Sequence, residues 1–354
     1  MSIPRSDKPA GASTPYIIPS HKGESLTLPG AKSAIRILAS AKESEGLISV
    51  FHMDGVLGDP AGFHYHNHAH DVFTCTRGQL KVWAGDKCRI LSPGDFCYVP
   101  PGIVHQPQLL GPYNETLGLV TPGQWVDFFR FISEQYDGVL APEFDSRNAM
   151  AALGPKIGEI TKNYDVIFRP DFVGAEVGEW TEDDTKLPES IQAYYLKADT
   201  GPRYLLGGIL SRPFITTAQN NGQFSMTSIE SSNMLGGNVL KHAFSFKHVH
   251  QVYCVLDGAI SVSVDGQVGQ VGAGDTIFIP AGTQVTVQFE AKYVRFWSFA
   301  SGDGLEKVIE EAGGSFEGVI VPDEARQVDA GKVREVAEAL NASFELGNVQ
   351  EHKL

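Results

Sequence analysis

The stretch GFHYHNHAHD, residues 62–71, places four histidines at alternating positions and ends in an aspartate. It contains four of the eleven histidines of the chain, a concentration typical of a metal site. His64 and His66 are two residues apart, so on a β-strand both side chains point to one face, roughly 6.6 Å apart along it. Two imidazoles placed in this way can bind one metal ion.

Two further residues complete a candidate ligand set. His105 follows a Pro-Pro-Gly turn at the end of a predicted strand, and a neighbouring strand can bring it opposite the first pair. Asp71 adds one oxygen to the three nitrogens. Such a set suits Cu, Fe, Ni, Co, Mn or Zn, and the spacing does not choose among them. We therefore predict one divalent transition metal per chain, bound by His64, His66, Asp71 and His105.

The chain also carries an internal repeat with an offset of 180 residues. SPGDFCYVPPG (92–102) matches GAGDTIFIPAG (272–282) in two glycines, one aspartate and one proline. DGVLAP (137–142) matches EGVIVP (317–322) at the same offset. Because one register holds over such a distance, we interpret the chain as a tandem duplication of one small domain.

The repeat separates two kinds of histidine. The candidate ligands do not recur: His64, His66, Asp71 and His105 align with Phe244, Phe246, Gln251 and Val285. We therefore predict a metal site in the first copy and none in the second. The other two recur, His68 as His248 and His70 as His250. Their recurrence favours a structural role, and the alternative is a proton relay or substitute ligand at the mouth of the pocket.

The fold class follows from short β-rich runs separated by Gly, Pro and Asp, such as LKVWAG (80–85) and ISVSVDG (260–266). We predict an all-β protein of two tandem β-barrels. Helical periodicity is confined to residues 124–135, 147–162, 305–312 and 331–340. The predicted boundaries are an N-terminal domain with the metal site, a partly helical linker, a C-terminal domain without a metal site and a C-terminal helical tail, at residues 1–145, 146–204, 205–322 and 323–354.

Composition limits the partners and the compartment. The net charge is −14 and Lys and Arg are not clustered, so we expect no nucleic-acid partner. No stretch approaches a membrane-spanning length, and the first sixteen residues lack the apolar segment of a secretion signal. The four cysteines show no CxxC spacing and are predicted to be free thiols in a reducing compartment, which favours the cytoplasm. A homodimer stays open.

The same residues resemble the two motifs of the cupin family. The first motif, G(x)5HxH(x)3–4E(x)6G, is matched with Asp71 in the place of its Glu, by Gly58, His64, His66 and Gly78. The second motif, G(x)5PxG(x)2H, is matched in full by Gly94, Pro100, Gly102 and His105. The chain most specifically resembles the fungal quercetin 2,3-dioxygenases, or flavonol 2,4-dioxygenases. That resemblance implies two jelly-roll cupins, with a metal only in the N-terminal one.

The resemblance also implies a reaction. In those enzymes the acid at the place of Asp71 binds the metal and accepts the proton of the flavonol 3-hydroxyl. Dioxygen then adds to the substrate, and the ring opens with release of carbon monoxide. We accordingly predict a metal-dependent dioxygenase of secondary metabolism that acts on an aromatic enol or phenol, flavonoid or polyketide-like, with Asp71 as the catalytic residue. Asp is about 1.5 Å shorter than Glu, so Asp71 acting as base, acting only as ligand, or staying off the metal are all open.

Five residues occupy positions that resemble the substrate-lining positions of the fungal enzymes: Phe73, Pro107, Gly118, Val120 and Trp125. Aromatic and aliphatic walls suit a flat phenolic ligand, and plain barrel core is the alternative. Two other functions are open at this point. One is an isomerase, cyclase or lyase that uses the metal as a Lewis acid, and the other is a bicupin that binds a ligand without catalysis.

Overall fold

The computed structural model describes residues 1–58 and 62–346 and consists mainly of β-strands. The first half contains β1 (Tyr16–Ile18), β2 (Glu24–Thr27), β3 (Ser33–Ala39), β4 (Ser49–Gly55), β5 (His64–Tyr65), β6 (His70–Thr74), β7 (Arg77–Ala84), β8 (Lys87–Leu91), β9 (Phe96–Val99), β10 (His105–Thr121), α1 (Asp127–Ile132) and β11 (Glu134–Gln135). The segment between the halves contains α2 (Ala149–Leu153), α3 (Ile157–Asn163), β12 (Ile167–Phe168) and β13 (Tyr194–Leu196).

The second half repeats this order. It contains β14 (Tyr204–Leu206), β15 (Ile209–Ile215), β16 (Ser225–Ser231), β17 (Phe244–Phe246), β18 (Gln251–Asp257), β19 (Ala259–Val264), β20 (Gln267–Gly272), β21 (Thr276–Ile279), β22 (Val285–Phe289), β23 (Val294–Ala300), α4 (Leu305–Ala312), β24 (Gly314–Ser315), α5 (Ala330–Ala339) and β25 (Ala342–Phe344). Helices form where the sequence predicts helical periodicity, and no helix in the described ranges is long and apolar enough to cross a membrane.

Each half folds as two packed antiparallel sheets, which confirms the prediction of two tandem all-β barrels of cupin type. In the second half an eight-stranded sheet packs on a five-stranded sheet around one apolar core. In the first half β10 runs through both sheets. It pairs with β7 over its first part and with β4 and β6 over its last part. The first barrel is therefore one network of strands, whereas the corresponding chain of the second barrel is divided into β22 and β23.

The glycine repeated at Gly78 and Gly258 has a backbone reason. Both residues have positive φ, 75° and 71°, in the left-handed region that favours glycine. A Cβ at Gly78 would lie 2.4 Å from the carbonyl oxygen of Tyr113, and one at Gly258 would lie 2.4 Å from that of Tyr293. The two turns thus make the same close backbone approach.

The barrels exchange strands reciprocally. β1, which precedes the first barrel, pairs with β21 of the second barrel, where Ile18 lies opposite Thr276. β13, which precedes the second barrel, pairs with β9 of the first, where Leu196 lies opposite Phe96. Since Phe96 and Thr276 are 180 residues apart, both exchanges use the same edge of the repeat.

An apolar interface joins the two barrels where their sheets meet. Val72 and Leu119 of the first barrel and Val252, Trp297 and Phe299 of the second belong to one buried cluster. The exchanged strands add their side chains to the same cluster. The four cysteines are free and buried, as predicted, and burial raises the pKa of Cys97 well above its usual value. They are therefore core thiols.

A helix followed by a short strand closes one edge of each barrel. In the first half α3 leads into β12, which pairs with the β5 strand that carries His64. In the second half α5 leads into β25, which pairs with β17. The domain boundaries stay predictions, and the structure adds that the segment predicted as a linker supplies a strand to the first barrel.

Candidate metal centre

Strand pairing brings the four predicted ligands together inside the first barrel. His105, at the start of β10, lies directly opposite His64 of β5. His66 follows β5, and Asp71 lies on β6 opposite Val120 of β10. One potential ligand atom from each of these four side chains lies within 4.8 Å of all the others. All four side chains are almost completely buried, His64 being the most exposed at 9%.

Hydrogen bonds orient the three imidazoles with their Nε2 atoms inward. His64 Nδ1 lies 2.8 Å from the carbonyl oxygen of Gly62, and His105 Nδ1 lies 2.9 Å from that of Ile103. His66 Nδ1 lies 2.6 Å from the carbonyl oxygen of Asp165. A carbonyl oxygen only accepts, so each Nδ1 carries the proton and each neutral Nε2 presents a lone pair. This is the usual arrangement for metal-binding histidines.

The donor set fits a cation. Asp71 Oδ2 lies 3.0 Å from His66 Nε2 and 2.8 Å from His105 Nε2. His105 Nε2 is buried and has no hydrogen-bond partner among the described residues. Lone pairs of two neutral imidazoles facing a carboxylate repel one another unless a proton or a metal ion lies between them. Three nitrogens and one carboxylate oxygen form a suitable ligand set for a divalent transition metal.

Burial and charge set the protonation of the cluster. Burial, together with His105 and His66, lowers the pKa of His64 well below its usual value. Burial also lowers the pKa of His66, but the Asp71 charge and hydrogen bond outweigh it and leave that pKa raised. Burial by itself would raise the pKa of Asp71, but His66 and His105 more than reverse this and lower it. Asp71 is therefore a carboxylate at neutral pH, as a metal ligand requires.

The corresponding place in the second barrel is filled by apolar side chains. Phe244 lies opposite Val285, as His64 lies opposite His105. The ring of Phe344, from β25, stacks on Phe244 with centroids 5.2 Å apart. The repeat therefore aligns three-dimensionally at the offset read from the sequence, and three imidazole donors of the first barrel correspond to apolar side chains in the second.

The other recurring histidines lie away from this centre. His70 neighbours Asp71 on β6 and points to the opposite face of the sheet. Its Nδ1 lies 2.6 Å from Tyr98 Oη and its Nε2 lies 3.0 Å from Gln223 Nε2 of the second barrel. His250 stacks on Phe278, as His70 stacks on Tyr98. The position recurs because it lies at the interface between the barrels, and His68 is exposed on its loop.

The five predicted pocket residues lie on elements next to the ligands. The Phe73 ring is 5.9 Å from that of His105, and the Trp125 ring is 5.0 Å from that of His66. Gly118 and Val120 lie opposite Phe73 and Asp71 in the pairing of β6 with β10, and Pro107 lies two residues after His105. Contact with a substrate stays a prediction for all five.

Two residues near the centre have no counterpart in the sequence-based prediction. The Phe51 ring covers Gly118, where a Cβ would lie 2.4 Å from Cζ of that ring. Asp165 lies in the predicted linker and contacts the ligand loop with its carbonyl oxygen and its carboxylate. A signal for Asp165 exists in the sequence: DVIF (165–168) and NASF (341–344) are equivalent at an offset of 176 instead of 180.

Comparison with known proteins agrees with this geometry. Residues 56–113 match the cupin domain family, and residues 240–352 match the AraC-like ligand binding domain family. A quercetin 2,3-dioxygenase of Bacillus subtilis (strain 168) is 23% identical over 330 residues, which cover 92% of this chain and 94% of that enzyme. This chain is a bicupin of the quercetin 2,3-dioxygenase type. The quercetin 2,3-dioxygenase of Aspergillus japonicus is 25% identical over 283 residues, covering 73% of this bicupin and 81% of that enzyme.

Solved structures support the bicupin fold. An oxalate decarboxylase variant of Bacillus subtilis is 15% identical and superposes with a TM-score of 0.50, over 83% of this bicupin and 80% of that chain. The protein Ylba from E. coli is 12% identical and gives a TM-score of 0.51 over 82% and 91%. The enzyme relatives span most of the chain, so the bicupin is assigned as an enzyme of dioxygenase type.

Proposed function

We propose that the N-terminal cupin binds one divalent transition metal through His64, His66, His105 and Asp71 and catalyses a dioxygenase reaction on an aromatic enol or phenol, flavonoid or polyketide-like. The observation that carries the proposal is the convergence of three Nε2 lone pairs on a buried carboxylate. Its place in a chain similar to two quercetin 2,3-dioxygenases supports the reaction class. A metal held there would supply Lewis acidity and, where it is redox-active, one-electron chemistry with dioxygen.

Asp71 is the residue placed to receive the substrate proton. Its Oδ2 faces His66 and His105, while no side chain of the described residues hydrogen-bonds Oδ1. A carboxylate with one free oxygen accepts a proton from an enol or phenol hydroxyl within hydrogen-bond reach. The resulting oxyanion matches the cationic character of the centre. The shorter side chain of Asp places this base about 1.5 Å back from the position of a Glu, so we expect quercetin itself to be a poor substrate.

The walls beside the ligands suit a flat ring. Phe73 and Trp125 provide aromatic faces, and Phe51 narrows the space above Gly118. Trp125 Nε1 is buried with no hydrogen-bond partner among the described residues. An unpaired buried N–H is costly unless a ligand or water accepts from it. Trp125 therefore offers a donor for a carbonyl or hydroxyl oxygen of the substrate.

Metal analysis together with oxygen uptake tests the proposal. The purified bicupin should contain about one transition-metal ion per chain and consume dioxygen with members of a panel of flavonols, catechols and enolised diketones. The His64→Ala/His66→Ala double variant should lose both properties. His68→Ala, which removes an exposed histidine of the same loop, is the matched control and should retain both. Metal-dependent turnover without oxygen uptake would replace the dioxygenase by Lewis-acid chemistry, and full turnover by the double variant would refute the site.

Asp71→Asn separates the two roles of the carboxylate. Asn cannot take up the proton, so turnover should fall at least about 100-fold, the usual range for loss of a general base. If Asp71 is the base, the variant keeps its metal. If Asp71 is only a ligand, metal content and turnover fall together. Asp71→Glu restores the reach of the longer acid and should increase cleavage of flavonols relative to the native protein. Turnover by Asp71→Asn at the native rate would exclude both roles.

A further inference from the structure

The loop that carries the ligands is held by one residue of the helix-strand segment, Asp165. Its carboxylate accepts hydrogen bonds from the backbone N–H groups of Asn67, His68 and Ala69, at 2.8, 2.8 and 3.2 Å. Its carbonyl oxygen accepts the Nδ1 proton of His66 at 2.6 Å. One residue thus contacts both the loop and a ligand side chain.

The second barrel shows what this position does where no ligand needs orienting. Asn341 is the equivalent of Asp165, because β12 and β25 pair with β5 and β17 in the same register. Both residues have left-handed backbone, with φ of 51° and 52°. The carbonyl oxygen of Asn341 accepts the backbone N–H of Lys247 at 3.0 Å. Lys247 aligns with Asn67 at the offset of 180.

The two halves therefore use the same carbonyl group differently. In the second barrel it satisfies a backbone N–H of the loop. In the first barrel the carboxylate of Asp165 satisfies the equivalent N–H of Asn67, and the carbonyl oxygen is left for His66. The acceptor next to a ligand histidine fixes which ring nitrogen carries the proton and how the ring is turned.

We propose that Asp165 is a positioning residue of the metal centre: its carboxylate holds the 67–69 loop so that its carbonyl oxygen is free to fix His66 with Nε2 toward the ligand centre. This inference rests on the proposed metal site and extends it to a residue outside both cupin motifs. It also accounts for a metal centre that needs the segment between the two barrels.

Affinity for Co²⁺, used as the probe metal and followed by its visible absorption, tests the proposal. Asp165→Ala should weaken Co²⁺ binding roughly 10- to 100-fold, the range typical of residues that orient a ligand histidine. Asp165→Asn keeps a residue tolerated in the left-handed region and one acceptor oxygen, so its affinity should lie between those of Asp165→Ala and the native protein. The matched control is Asn341→Ala, which changes the equivalent position of the second barrel and should leave Co²⁺ affinity unchanged.

The tautomer of His66 gives a readout that needs no metal. In nitrogen-15 spectra of the metal-free protein, at a pH where the ring is neutral, His66 should carry its proton on Nδ1. Asp165→Ala should populate both tautomers. Native Co²⁺ affinity in Asp165→Ala, an equal loss in Asn341→Ala, or an Nε2-protonated His66 in the native protein would each overturn the proposal. Failure of the native protein to bind Co²⁺ would instead overturn the proposed metal site, and the tautomer would still decide the role of Asp165.

Discussion

Gly118 illustrates how a single residue shapes the space beside the candidate centre. It lies opposite Phe73 in the strand pairing, and the Phe51 ring occupies the volume that a side chain at this position would need. Phe51 in turn contacts Phe129 edge-on, with centroids 5.1 Å apart. The glycine and the two phenylalanines therefore form one packed unit in the barrel wall.

Gly118→Ala should destabilise the protein by about 1 to 3 kcal/mol, because the new methyl group overlaps the Phe51 ring. In a Phe51→Leu background the same change should cost less, since the ring is gone. Urea unfolding of the four proteins of this cycle measures the coupling between the two positions. Gly154→Ala is the control, because a Cβ at Gly154 meets no atom within 4 Å. Equal costs for Gly118→Ala in both backgrounds would contradict the packing described.

At the scale of elements, the exchanged strands make each barrel depend on a segment that precedes the other. All three residues of β1 are buried, and β1 pairs with β21. β13 does the same for β9 of the first barrel. An isolated barrel would leave these edges unpaired, and exposed strand edges favour association.

Ile18→Ala removes a fully buried side chain from the exchanged strand β1. We expect a loss of about 2 to 5 kcal/mol in the free energy of unfolding, the usual cost of truncating a buried Ile. Leu196→Ala, on β13, should cost a similar amount. Chemical denaturation measures both against Val173→Ala, whose side chain is 88% exposed. A loss in Ile18→Ala no larger than in this control would show that β1 does not contribute to the second barrel.

At the scale of the whole molecule, the interface between the barrels contains a histidine that is neutral when folded. His70 is buried between Tyr98 and Gln223, and burial lowers its pKa to about 4. An unfolded chain has a histidine pKa of about 6.5. Between these two values the unfolded chain binds a proton that the folded protein does not. The free energy of unfolding therefore decreases as the pH falls from 6.5 towards 4, and the loss is complete below that.

His70→Gln should make the protein less sensitive to acid. Between pH 7 and pH 5 the native protein should lose about 2 kcal/mol more unfolding free energy than the variant, from the shift of about 2.5 pKa units at this one group. Urea unfolding with excess chelator at both pH values, followed by tryptophan fluorescence, gives the two differences. Because all other titrating groups are shared, they cancel in the comparison. The same pH dependence in both proteins would show that His70 is not kept neutral by the interface.

The fold and the ligand set were accessible from the sequence because both leave local patterns. Alternation and turn residues indicate strands, and a constant offset of 180 residues indicates two equivalent barrels. Replacement of His64, His66 and His105 by Phe244, Phe246 and Val285 distinguishes the ligands from His70, which recurs. These inferences need only the spacing of residue types along the chain, since two positions two apart on a strand share a face whatever surrounds them.

What only the tertiary structure decided depends on contacts between distant segments. The strand exchange pairs residues near 17 with residues near 277, and no local pattern states which barrel an isolated strand joins. The role of His70 required its contact with Gln223, 153 residues away. Asp165 lies 99 residues from His66 and contacts it through a backbone carbonyl, a group that every residue possesses. The side-chain types thus predict which atoms can bind a metal, while the backbone path determines what orients them.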